Sequence, residues 1–132
     1  MNGKKVLDSY ALLAYLNKEK GYDKVKSLLS SEKAVLLMND INIGEAFYVI
    51  SRNRGFEKAE YFVNTILKSL PLSTVGNTFH EVLEAARIKA QHALSYADCF
   101  VVATALREQA TVITGDPEFK KVQSLVQVDW IA

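Results

Sequence analysis

The chain has 132 residues, 49% of them hydrophobic, which suits a single globular domain over 1–132 that buries roughly two-thirds of its unfolded surface. Its 16 basic and 15 acidic residues leave a net charge of +1, which excludes global attraction to a polyanion and leaves any nucleic-acid contact to a local patch. No apolar stretch approaches the ~20 residues of a membrane span. The segment after Lys4 and Lys5 is broken by Asp8 and followed by Asn17-Lys18-Glu19-Lys20 rather than a cleavage site, and the lone Cys99 sits in an apolar run, so a soluble cytoplasmic protein is expected.

In chain order, Lys5-Val6-Leu7 reads as a short strand, Ser9 to Lys18 as a helix and Asp23 to Ser30 as a second helix. Ala34 to Met38 is a buried strand, followed by a helix from Asp40 to Arg52 that Gly55 terminates. The period then predicts a helix over Glu57 to Lys68 ending before Pro71, a strand over Leu72 to Val75, and a helix opened by Asn77 or Thr78. Ser95 to Glu108 is apolar on nearly every face and should be central. Thr111 to Thr114 is a strand, Pro117 to Lys121 a helical turn, and Val126 to Val128 the last strand. Strands alternating with helices, and no repeat or linker, predict an α/β fold whose mostly parallel sheet is covered on both faces.

In such sheets ligands bind beyond the carboxyl ends of the strands, at the point where strand order reverses. Asp8 follows the first strand directly, and Asp116 follows the fourth by way of Thr114 and Gly115. Each also has an ordinary explanation. Asp8 can cap the helix beginning at Ser9, and Asp116-Pro117-Glu118 has the cap, proline and first-turn acid of a helical start. Asp98 can complete a capping box with Ser95, but it projects between Leu94, Val101 and Val102, where an unpaired carboxylate would be costly to bury. Glu45 lies between Ile41 and Tyr48-Val49, again a charge in an apolar stripe. Four carboxylates gathered at one place would form an oxygen-rich site for a hard divalent cation.

Other features read as structural. Glu57, Glu60 and Glu84 fall on solvated faces, Glu81 pairs with Thr78 in a capping box, and His80 and His92 lack zinc-site spacing. No Gly-rich phosphate loop and no Gly-x-Ser-x-Gly elbow is present. Arg52, Arg54 and Lys58 form one basic group, and Lys18, Lys20, Lys24 and Lys26 another. Either could track an RNA backbone, though solvated helix surface is the commoner origin. Phe47, Tyr48, Phe56, Tyr61 and Phe62 are expected in the core first, with some left for an interface.

Val6-Leu7-Asp8-Ser9, Asn42-Ile43-Gly44-Glu45-Ala46-Phe47-Tyr48, Leu94-Ser95-Tyr96-Ala97-Asp98-Cys99 and Val112-Ile113-Thr114-Gly115-Asp116-Pro117-Glu118-Phe119 together resemble the PIN-domain nucleases, and within them the VapC-like toxins of VapBC type II systems. The resemblance covers residues 6 to 119. It implies a three-layer α/β/α sandwich, Mg2+- or Mn2+-dependent endoribonuclease activity on RNA, a homodimer, and inhibition by a small cognate antitoxin. It also implies an acidic quartet at Asp8, Glu45, Asp98 and Asp116, supported by the hydroxyls of Ser9 and Thr114. Asp8 and Asp98 would be the principal direct ligands, with Glu45 and Asp116 binding directly or through water.

Two alternatives stand beside it: a PIN-like scaffold that binds RNA without cleaving, and a receiver-like signalling domain. The second is the weaker, because Leu7-Asp8-Ser9 carries one acid where a receiver pairs two, and Thr114-Gly115-Asp116 offers an acid where a receiver places lysine.

Overall fold

Val6 and Leu7 are neighbours in sequence and both fully buried, yet they belong to different cores. In the computed structural model, which describes residues 3–132, the same alternation separates Leu37 from Leu36 and Val112 from Ile113. Successive strand side chains point to opposite faces, so three such pairs define a sheet with apolar packing on both sides.

That sheet has five strands: β1 (Lys4–Leu7), β2 (Val35–Asn39), β3 (Ser73–Val75), β4 (Thr111–Thr114) and β5 (Val128–Trp130). Their order is β3-β2-β1-β4-β5, and every neighbouring pair is parallel. The register pairs Val6 with Leu37 on one side and with Val112 on the other. Strand order runs outward from β1 to β3, then reverses to β4, which puts the switch point between β1 and β4.

The helices are α1 (Ser9–Leu16), α2 (Tyr22–Ser30), α3 (Asp40–Arg54), α4 (Phe56–Tyr61), α5 (Leu67–Ser69), α6 (Phe79–Gln91) and α7 (Tyr96–Glu108), with a π segment at Phe62–Ile66 and a 3-10 segment at Pro117–Val122. Leu7, Leu36 and Ile113 pack with Ala11, Ala14 and Val25 of α1 and α2. Val6, Leu37 and Val112 pack with Ala85 of α6 and Phe100, Val101 and Val102 of α7. The result is the three-layer α/β/α sandwich. A third cluster, Leu12, Met38, Ala46 and Phe62, joins α3 and the π segment to the first layer. Among the described residues no helix is long and apolar enough to cross a membrane.

As expected, α7 is central: eight consecutive residues from Asp98 to Ala105 are buried, and the helix touches β1, β2, β4, α3 and α6. Other expectations shift. α1 stops at Leu16 because Lys18 adopts φ 52°, outside the helix, while α3 continues to Arg54, where Gly55 at φ 92° ends it. The helix expected over Glu57 to Lys68 is divided by the π segment, whose wider turn has no signature in a 3.6-residue period. The last strand lies at Val128–Trp130, two residues later than expected. Val126 instead closes a turn onto the Val122 carbonyl (3.2 Å) and enters the core from there.

The aromatic group of α3 and α4 corrects an expectation as well. Phe62 is buried and Phe47 half-buried, but Tyr48, Phe56 and Tyr61 are exposed, at 48%, 73% and 58%. Ala46, Ala59 and Phe62 already fill the contact between these helices and the first layer, so the other rings face outward. The guanidinium of Arg52 stacks over Tyr48 at 5.3 Å.

Candidate active site

At the switch point, the backbone amide of Asp8 still donates to the Ile113 carbonyl (3.3 Å), and the chain then turns into α1. Asp8 caps that helix: its Oδ1 accepts from the Ala11 amide at 2.8 Å. Its Oδ2 accepts from the hydroxyl of Thr114, at the end of β4. Thr114 Oγ1 in turn accepts from the Asp116 amide at 2.9 Å. A continuous chain of hydrogen bonds therefore runs from Asp116 through Thr114 to Asp8, between the two loops that leave β1 and β4. Gly115 lies within it because there is no room for more: a Cβ there would collide with the ring of Tyr10.

Asp8 is 1% exposed, and burial pushes its carboxyl from 3.8 up to about 7. The Thr114 and Ala11 bonds pull the other way, and the charges of Asp98 and Asp116 raise it further. Asp98 stands in the first turn of α7, whose N-cap Ser95 accepts from the Asp98 amide (3.1 Å). Unlike Glu81, which returns the bond to Thr78 at 2.9 Å, Asp98 makes no reciprocal cap to the backbone of its N-cap residue; the hydrogen bond of the Ser95 side chain lowers its carboxyl. It is 7% exposed, and burial first, then the charges of Asp116 and Glu45, raise it to about 6.

Asp116 caps the 3-10 segment through Oδ1, which accepts from the Glu118 amide at 3.0 Å. Glu45 sits half-buried on α3, where its Oε1 accepts from the Ser9 hydroxyl at 2.7 Å. Ser9 thus braces Glu45 as Thr114 braces Asp8. The mutual influence of their charges places Asp8, Glu45, Asp98 and Asp116 around one rim, and no ion pair between described residues neutralises any of them. They do not close into a cage: among the described residues no three His, Cys, Asp or Glu side chains are arranged to hold one ion directly.

Two residues were given no role at the site in the sequence. Glu118 also raises Asp98, although it is tied to Lys121 at 2.6 Å; its position two residues after Asp116 was the available signal. Asn42 is fully buried on α3, and its Nδ2 donates to the carbonyl of Ala97, immediately before Asp98 (3.0 Å). Nothing local in the sequence indicates that contact. The remaining acids behave as anticipated: Glu81 completes its capping box and, with Glu84, pairs with Arg107 at 3.2 and 3.6 Å. His80 is exposed beside Glu84, and Cys99 is a buried free thiol. The basic residues expected as candidate tracks all lie exposed, and Lys24 is engaged by Asp129 at 2.7 Å.

Comparison with solved structures finds the same fold in several proteins. The structure of VapBC2 from Rickettsia felis, bound to a DNA fragment from its promoter, superposes with a TM-score of 0.73 at 16% identity, over 96% of this chain and 98% of that one. VapC20 of Mycobacterium tuberculosis, described as a toxin that cleaves the sarcin–ricin loop, gives 0.74 at 16% identity, over 88% and 92%. FitAcB of Neisseria gonorrhoeae gives 0.71 at 19% identity, over 94% and 95%. No curated protein matches the sequence. The likeness at these identities is one of fold. Membership is carried by the sequence itself, since the PIN domain profile matches residues 5–125: the chain belongs to the PIN domain family.

Proposed function

We propose that the chain is a Mg2+- or Mn2+-dependent endoribonuclease that hydrolyses RNA phosphodiester bonds as the toxin of a toxin–antitoxin pair. In this reading it is one domain over residues 1–132, acts in the cytoplasm as a homodimer, and is inhibited by a small cognate antitoxin. The observation that carries it is the pair of buried carboxylates, Asp8 and Asp98, raised to about 7 and about 6 at the carboxyl rim of a parallel sheet. Such a pair is electrostatically unfavourable when ionised unless a cation joins it. Structures that share the fold, one described as a toxin–antitoxin complex and one as a toxin that cleaves the sarcin–ricin loop, add support for the substrate and the partner.

The donors fit a hard divalent ion. They are all carboxylate oxygens, and no ion pair between described residues engages the Asp98 carboxylate. A cage of three is not required, because Mg2+ keeps several waters and needs only one or two carboxylates besides a substrate phosphate. Asp8 and Asp98 would hold the ion directly, with Glu45 and Asp116 binding it directly or through water. When bound, the ion would polarise the phosphodiester and make water a competent nucleophile at neutral pH. Thr114 keeps the Asp8 carboxylate aimed at the rim, and Ser9 does so for Glu45. The four charges also repel a phosphate that arrives without a cation, which makes substrate binding conditional on the ion.

The test is cleavage of a panel of structured RNAs with Mg2+ or Mn2+, with and without EDTA, by the wild type and Asp98→Asn. Metal-dependent cleavage that the substitution abolishes, with thermal unfolding near wild type, is the expected result. Full activity in purified Asp98→Asn refutes the assigned site. A non-cleaving RNA-binding scaffold is the second reading, favoured by the lack of three groups arranged to grip an ion. Binding of RNA with no cleavage under any divalent ion would select it.

A further inference from the structure

We infer that Asn42 is a positioning residue of the candidate site: its side-chain amide pins α3 to the first turn of α7 and so fixes where Glu45 and Asp98 stand relative to each other. The inference rests on the metal-dependent reading above and goes beyond the acidic quartet and its two hydroxyl supports.

Asn42 and Glu45 are three residues apart on α3, on neighbouring positions of one helical face. Asn42 donates to the carbonyl of Ala97, the residue before Asp98. Among the described residues this is the only hydrogen bond between residues inside α3 and α7, two helices in contact; Asn39, the N-cap of α3, bonds α7 only further along, at Thr104. One amide thus links the segment that carries Glu45 to the segment that carries Asp98.

Its other half argues that packing alone does not explain the residue. Asn42 Oδ1 is the one buried side-chain nitrogen or oxygen among the described residues that has no hydrogen-bond partner. Asn39, equally buried three residues earlier, shows what a satisfied structural asparagine looks like here. Its Oδ1 accepts from the Ile41 amide (2.9 Å) and Asn77 (3.0 Å), and its Nδ2 donates to Asn77 (2.8 Å) and Thr104 (3.0 Å). An unmet buried acceptor costs desolvation energy that a leucine of similar size would avoid. What asparagine supplies in return, and leucine cannot, is the directional contact with residue 97. The burial site therefore trades local stability for registry between two carboxylate-bearing helices.

The experiment measures Mn2+ binding to the purified full chain by the EPR signal of free Mn2+, alongside thermal unfolding in EDTA, for the wild type, Asn42→Leu and Asn42→Ser. Asn42→Leu is expected to unfold at the wild-type temperature or above it, while Mn2+ binding weakens roughly tenfold, at the lower end of what loss of an outer-shell contact does to metal sites. Asn42→Ser, which keeps a hydroxyl donor, should bind Mn2+ more tightly than Asn42→Leu, and it decides the matter if the leucine variant does not fold. A merely structural asparagine would show the opposite split, a lower unfolding temperature with Mn2+ affinity unchanged, and that result overturns the inference. If the wild type itself binds no Mn2+, the metal-dependent reading fails and this inference with it. If the wild type binds and both variants bind equally well, only the role of Asn42 fails.

Discussion

Thr114 spends its hydroxyl twice, accepting from the amide of Asp116 and donating to Asp8. Valine has nearly the same shape but would leave a buried carboxylate oxygen and an amide unmatched, each worth about 1–3 kcal/mol. Thr114→Val should therefore destabilise the protein by about 2 kcal/mol in urea unfolding. Because the Thr114 bond lowers the Asp8 carboxyl, its loss should also move that carboxyl above its present value of about 7, which a carbon-13 titration of the Asp8 side chain would follow. A carboxyl that stays put would show that the hydroxyl does not act on the charge. At this scale the sequence was informative but posed a false choice. Asp8 and Asp116 could each be read as a helix cap or as a member of an acidic site, and each in fact caps with Oδ1 while its charge acts on the same rim. Asn42 was not legible at all, because its partner lies 55 positions away and no local period refers to it.

Among the elements, α7 carries the most consequence, since its first turn holds Asp98 and its body fills one face of the sheet. Ser95 is its N-cap, and serine-to-alanine changes at such positions cost about 1 kcal/mol. Ser95→Ala should lower stability by that amount and raise the Asp98 carboxyl beyond about 6, because the Ser95 bond now holds it down; an unchanged titration would count against that coupling. The helix itself was readable because it is apolar on nearly every face. The helical stretch after Gly55 was readable in its extent but not in its interior turn or its exposed rings, for two physical reasons. Its π turn advances the chain by a different period, and its aromatic rings are large enough to suggest a core that Ala46, Ala59 and Phe62 already complete. The last strand was misplaced for a related reason: Val126 is as apolar as a strand residue, but its backbone bonds to Val122 in a turn.

For the molecule as a whole, the alternation of strands and helices gave the parallel sandwich, while the order β3-β2-β1-β4-β5 required the pairings themselves. The buried acids then impose a direction on stability. Asp8 and Asp98 titrate at about 7 and about 6 in the folded chain against 3.8 for an ordinary aspartate, so the native state holds more protons than the unfolded state between those values. That contribution is fully present below about 3.8 and is lost as pH rises through about 6 and then about 7. Metal-free protein in EDTA should accordingly have a lower urea midpoint at pH 8 than at pH 5, and Asp8→Asn, which cannot ionise, should narrow the gap. Added Mg2+ should narrow it too; a gap indifferent to both would mean that the rim carboxylates do not govern it.

The bond between Thr114 and Asp8 joins positions 106 residues apart. Contacts of such long sequence separation form late, because chain entropy must be lost before they return anything. A ribosome making this protein has finished α1 through α7 before the partner of residue 8 exists. A nascent chain consequently carries an incomplete rim until residue 114 has been made, and the support that Thr114 gives Asp8 can form only after that.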